Sequence, residues 1–461
     1  MNTLFSKALF SFAAILTSTC AVQAQYEIAT FSADVTIPLR HRCMGVLPTK
    51  SQSIADPLEA IGFVITGMEK PIVYVAIDWC EIRNGAYDQW RDALAEAAST
   101  TRQRVLVSCL HQHDAPVTDA GAAQLLSEAG LTGELYDEAF HKQAMQRVAS
   151  ALKESLHQTV ALTHIGTGAT EVKRIASNRR VVTEDGSVRF SRGSASGGDD
   201  FFSTAPEGEI DRELKTISFW NEETPICALH VYATHPMSSY GQGRVSADFV
   251  GLARRKVQKQ FLNVRQIYAS GCSGDVTAGK FNDGSTRARE QLVERLASAM
   301  LKSWNKTVRY PVQQISFRNT QLELEFYKHA ELDPDRLRAT LADESKSNED
   351  RILAAMGLSS FQRVSAGQLI DFPCVDFGPA QIVLFPGESF VGYQLQAQQL
   401  RPESFVVSIG YGECWPGYIP LNRSFADSFH DKWLWVGPGS ENHIQKALQA
   451  VLFQVSPATS K

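Results

Sequence analysis

Six short runs are almost continuously apolar and rich in β-branched residues: PIVYVAIDW (71–79), RVLVSCL (104–110), ICALHVYATH (226–235), VRQIYAS (264–270), AQIVLF (380–385) and SFVVSIG (404–410). Such runs predict strands covered on both faces. Between and around them, 87–99, 136–157, 249–262, 285–303, 391–400 and 440–455 carry apolar residues at helical spacing. In FVGLARRKVQKQF, Phe249, Leu252, Ala253 and Val257 share one side and the basic residues largely take the other. The alternation predicts an α/β protein, one large domain over 25–461 with a mixed central sheet covered by helices. No repeat or heptad run is visible. Two segments interrupt the pattern. The 186–209 stretch is long and rich in Gly and Ser, a candidate cover for a site with Phe201 and Phe202 at its centre. The 330–365 stretch is polar, charged and partly helical, and reads as an insertion.

Composition narrows the partners. The chain has 461 residues, 44% of them hydrophobic, enough to build a sizeable core. Its net charge of -5, without a long Lys/Arg run, argues against a nucleic-acid partner. Residues 1–24 read as a secretory signal peptide: a lysine, an apolar run from Ala8 to Leu16, and small Val22 and Ala24 before a cut at Gln25. That predicts a secreted or periplasmic protein, with lipid anchoring at Cys20 left open. The run is too short to span a bilayer. Seven further cysteines are scattered without a CxxC pair, which excludes a zinc ribbon. Cys80, Cys109 and Cys227 are expected to be buried thiols, and one or two disulfides stay open.

Candidate chemistry gathers where strands run out. In VLVSCLHQHDAP, an extended chain through HQH would put His111 and His113 on one side, two residues apart. HVYATHPMSS ends another strand at His235, while His230 in mid-strand reads as core. AQIVLFPGESF passes from a strand through Pro-Gly to Glu388 at the start of a helical stretch. YGECWPGYIPLN places Tyr411 and Tyr418 among turn-forming residues. Imidazoles and a carboxylate delivered at strand ends are the donor types of a catalytic metal site. The Gly-rich SGCSGDVTAG (270–279) lacks dinucleotide spacing and reads as a backbone nest or a place where substrate lies close. Cys272 there has no local His partner. HExxH, GxSxG and Walker motifs are absent.

In order along the chain, FSADVTIP (31–38), IVYVAIDW, HQHDAP, ATHPMSS with SADFVGLA, SGDVTAG, FPGESF and PGYIP resemble segments of the neutral/alkaline non-lysosomal ceramidases. The resemblance implies one zinc ion held by His111, His235, Glu388 and Tyr418, with His113 beside it. Arg179 would contact substrate, with Arg174 and Arg180 as alternatives, and Thr277 would stand at the floor of the site. It implies hydrolysis of a linear amide, of N-acylsphingosine or a related N-acyl compound, with peripheral contact at a membrane surface. Two features depart from the family pattern. Asp114 would add a carboxylate near the pocket, favouring a positive or polar substrate group. The Glu-Glu-Tyr and Tyr-Glu-Gly-Ala-Ser features are absent after Tyr418, and no C-terminal immunoglobulin-like domain is expected. A smaller polar amide or ester, or a non-catalytic binding role, therefore remain as alternatives. The oligomeric state is not legible.

Overall fold

The computed structural model describes residues 25–45 and 47–453; the signal-peptide reading of 1–24 lies outside them. The α/β class and the predicted strands and helices stand, with boundaries moved by a few residues. The single central sheet does not. The long strands instead form three separate sheets.

Each sheet is built the same way. In the first, Glu27–Asp34, Glu59–Thr66 and Ile72–Ile77 run antiparallel in turn; helix Asn84–Ala98 then crosses over to Val105–Cys109, which pairs parallel. In the second, His164–Glu171, Glu213–Asn221 and Thr224–Tyr232 are followed by helix Asp248–Gln258 and parallel Arg265–Ser270. In the third, Ser316–Leu322, Ile370–Asp376 and Ala380–Leu384 are followed by helix Val391–Leu400 and parallel Phe405–Ile409. A further helix, Glu138–Ser155, Thr286–Asn305 or Ser440–Leu452, packs back on each unit's first strand. The chain is thus a threefold structural repeat that the sequence does not display.

The repeat explains both interruptions. The first connection of each unit must lie at the same end of its sheet, because an antiparallel strand reverses direction there. Residues 186–209 belong to that connection in the second unit. Residues 330–365 belong to it in the third, where helices Pro334–Ala342 and Asn348–Ser365 lie. The second of these is no appended insertion: Ile352, Ala355, Met356 and Leu358 are core residues packed with the rest of the first and third units.

Each parallel strand is an inner edge, and the three edges meet at their C-terminal ends. Cys109 N–H donates to Tyr411 O at 2.9 Å, Gly410 N–H to Ser270 O at 2.9 Å, and the Ser270 hydroxyl to Leu110 O at 2.8 Å. Edge groups that would otherwise be left unpaired in the interior are satisfied in this closed ring. The seven cysteines among the described residues are buried free thiols, so no disulfide forms among them. His230 is a core residue, bonded to Thr216 and Gln266. Among the described residues no helix is long and apolar enough to cross a membrane.

A second core histidine gives a pH prediction. His141, 3% exposed, accepts from the Trp90 indole at 2.9 Å, and burial lowers its pKa from 6.5 to about 4. The unfolded chain takes up this proton first, so the contribution to stability is complete above about 6.5 and is lost as pH falls towards 4. His141→Gln removes the titration. Between pH 7 and 5 the wild type is expected to lose about 2 kcal/mol more stability than the variant. Denaturant titrations at both pH values measure the difference; parallel pH profiles would refute it.

Candidate metal centre

The closed ring of strand ends forms the floor of the site. After the third strand of each unit the chain makes one more parallel pairing: Glu81 opposite Val117, His235 opposite Thr277, and Glu388 opposite Tyr418. Glu388 therefore lies in a short strand, Glu388–Ser389, and not in the first turn of a helix, which starts at Val391. After the inner-edge strands come His111 and Tyr411, both with left-handed backbone (φ 69° and 58°). The strand does not continue through HQH. A left-handed turn at His111 aims its ring inward, and His113 still reaches the same space, its ring centroid 5.3 Å away. Tyr411 stacks on His111 at 4.4 Å.

The tautomers are set from behind. His111 Nδ1 lies 3.0 Å from Cys80 O, and His235 Nδ1 lies 2.7 Å from Ser273 O, so each Nδ1–H donates to a carbonyl. Each Nε2 is then an acceptor. Glu388 Oε2 lies 3.0 Å from His235 Nε2 and 3.3 Å from His111 Nε2. Three lone-pair donors thus converge in a buried space. His235 Nε2 and Glu388 Oε2 find no hydrogen-bond partner. Such a cluster calls for a shared cation, and its donor set suits zinc. Burial would raise the Glu388 pKa, but the two imidazoles hold it below the usual carboxylate range. Burial lowers His235 to about 4, with Arg179 adding to the effect. His111 loses to burial but gains more from Glu388, and moves up.

Around this cluster opens a cleft of about 410 Å³. His113 lines it with both ring nitrogens unpartnered, edge-on to Tyr240 at 5.0 Å. Burial, then His111 and His235, push its pKa well down and so disfavour its charged form. Arg179 is held by its own N–H on Asp275 O (2.7 Å), and its guanidinium donates to the Tyr418 hydroxyl at 2.8 Å. Burial pushes the Tyr418 phenol well up and Arg179 opposes this. Gly417 makes the approach possible: it has φ +61°, and a Cβ there would lie 1.8 Å from Trp433 O. Met44, Phe190, Met237, Tyr240 and Trp433 give the cleft apolar walls, and Asp431 and Lys432 give it a polar end.

The remaining expected residues stand elsewhere. Thr277 pairs with His235 through its backbone, and its hydroxyl accepts from Gly279 N–H; it does not line the cleft. Arg180 pairs with Asp427 at 2.7 Å, and Arg174 is exposed. Asp114 is turned to the 238–243 loop, accepting from Gly241 N–H at 3.0 Å, and does not line the cleft, so its expected influence on substrate charge falls away. The Gly-rich loop approaches the chain itself and not a ligand: a Cβ on Gly274 would lie 2.1 Å from Glu388 O. Its Cys272 is fully buried, with its thiol pKa pushed well up by burial. From the 186–209 connection it is the preceding Phe190 with Ser191–Ser194 that walls the cleft, while Phe201 is 39% exposed. Glu81 went unread. It is fully buried, its Oε1 lies 3.8 Å from His111 Nδ1 and accepts from the Trp433 indole at 3.1 Å, and its Oε2 meets Arg83 at 3.0 Å.

No protein-family model matches the sequence, and no curated protein does. Among solved structures, the crystal structure of neutral ceramidase from Pseudomonas aeruginosa matches with a TM-score of 0.66 at 14% identity, over 93% of this chain and 74% of that one. The chain shares the fold of the neutral ceramidases. A ceramidase complexed with C2 aligns with the same score and identity, over 92% and 74% of the two chains.

Proposed function

We propose that the protein is a zinc-dependent hydrolase of linear N-acyl amides, ceramidase-like in fold and chemistry. The observation that carries this reading is the convergence of His111 Nε2, His235 Nε2 and Glu388 Oε2, the last two of them buried without a hydrogen-bond partner. His111, His235 and Glu388 would hold the ion, with Tyr418 beside them as a fourth ligand or a hydrogen-bond donor. A zinc ion bound there supplies Lewis acidity and brings the ionisation of water towards ~7.

The chain's own groups would do the rest. Arg179 and the Tyr418 hydroxyl, joined at 2.8 Å, direct positive charge and a donor at the oxygen that becomes negative during acyl transfer. His113, its charged form disfavoured and both ring nitrogens free, takes a proton from attacking water and returns it to the leaving amine nitrogen. The apolar walls suit an acyl chain, and a cleft of about 410 Å³ is of small-molecule size. With the signal-peptide reading, this is an exported enzyme meeting N-acyl lipids or smaller N-acyl amines outside the cytoplasm.

The test is metal quantification together with a panel of N-acyl amines of graded chain length, including N-acylsphingosine, before and after chelation. Turnover that vanishes with the metal and returns with zinc is expected. A zinc-replete protein that leaves every amide intact would make it a binding protein on this fold.

A further inference from the structure

Beside the three converging acceptors lies a second donor set. Cys80, His111 and His113 each offer a ligand atom, and these atoms lie within 4.8 Å of one another, all buried. Cys80 Sγ is 3.9 Å from His111 Nδ1, and both Cys80 and His113 line the cleft. Neither nitrogen of His113, a residue only 6% exposed, has a partner. This buried, unpartnered imidazole in the cleft is what distinguishes the set from a chance thiol. Met44 and Met237 add thioether sulfurs to the same walls.

We propose that Cys80, His111 and His113 form a binding site for a thiophilic cation such as cadmium or copper(I), overlapping the hydrolytic metal site through His111. Soft thiolate and imidazole donors select such ions, whereas the neighbouring His, His and carboxylate set is harder. Binding replaces the Sγ–H bond with an Sγ–metal bond and releases that proton to solvent. His111 takes the ion at Nδ1, gives up its hydrogen bond to Cys80 O and carries its ring proton on Nε2 instead, which removes Nε2 from the first donor set. Without an ion, burial and the adjacent Glu81 keep the thiol protonated, so it is not a free nucleophile. Because one imidazole serves both sets, a soft ion and the hydrolytic metal compete. The site would make the enzyme sensitive to soft metals by displacement at His111. The soft-metal site itself stands apart from the hydrolytic reading; only the competition and the resulting sensitivity rest on it.

Cadmium alone is the probe. Titrated into metal-free protein, it should give a thiolate-to-cadmium charge-transfer absorption that saturates at one equivalent. His235→Ala and Glu388→Gln, which disrupt the first donor set, should keep the band. Cys80→Ser should abolish it, and His113→Asn should weaken cadmium binding at least about tenfold. Far-UV circular dichroism checks that each variant is folded. A band that survives in Cys80→Ser, or none in the wild type, overturns the proposal. Loss of the band in His235→Ala does so too, by showing that a single site takes both ions. Failure of amide hydrolysis in the same preparations would leave these readouts untouched.

Discussion

Replacing His235 with alanine is expected to take the zinc content from about one ion per chain to near zero and to abolish amide hydrolysis. The loss should exceed the ~10–100-fold that outer partners of a ligand cost, because an Nε2 acceptor itself is removed. His235 is fully buried, and its Nδ1 is tied to Ser273 O, so no neighbouring side chain can swing in to replace it. His111→Ala should behave alike. His113→Ala should not: it keeps the metal and loses about 10²–10⁴-fold in kcat, the usual worth of a positioned acid–base group. Atomic-emission metal analysis beside turnover on one N-acyl substrate separates the outcomes. Equal zinc in wild type, His111→Ala and His235→Ala would remove the metal assignment altogether.

The largest stability effect is expected at Arg254, which does not line the cleft. This guanidinium, on the crossover helix of the second unit, meets Asp78 at 2.6 and 2.8 Å and Glu59 at 2.9 Å, both in the first. Arg254 and Asp78 are almost fully excluded from solvent. Arg254→Leu takes both short guanidinium bonds from the buried Asp78 carboxylate and leaves only Arg255, 3.7 Å away, as counter-charge, at a cost of about 3 kcal/mol. Arg254→Leu combined with Asp78→Asn should recover part of that cost, because the buried charge is gone. Urea denaturation of the two variants reads both numbers. A single variant as stable as the wild type would mean that Arg255 alone compensates the Asp78 carboxylate.

Strand ends were the legible part of this sequence. Continuous apolar runs mark buried strands whatever their partners, so a histidine or glutamate just beyond one is placed correctly even when the local geometry is not. His111 reached the site through a left-handed turn and Glu388 through a two-residue strand, neither of which hydrophobic periodicity encodes. Glu81 carried a signal that only the repeat makes visible. It follows Ile77 by the same four residues that separate Glu388 from Leu384, each at a third-strand end. The threefold repeat was hidden because it resides in strand pairing, while the paired residues are interchangeable Val, Ile, Leu and Ala. Asp114 misled for a related reason: adjacency to His113 in sequence does not fix which way a carboxylate turns after a strand has ended.

Two of the long connections, 35–58 and 172–212, bring Met44 and Phe190–Ser194 to the cleft, yet neither supplies His111, His235 or Glu388. Changing their cleft-lining stretches around Met44 and Phe190–Ser194, with Arg179 kept, would remodel the mouth of the cleft while sparing the residues proposed to act on the substrate. Admission of substrate and its conversion are therefore carried largely on separable stretches, and a library confined to those two spans with Arg179 held fixed could retune what is admitted without rebuilding what is done to it.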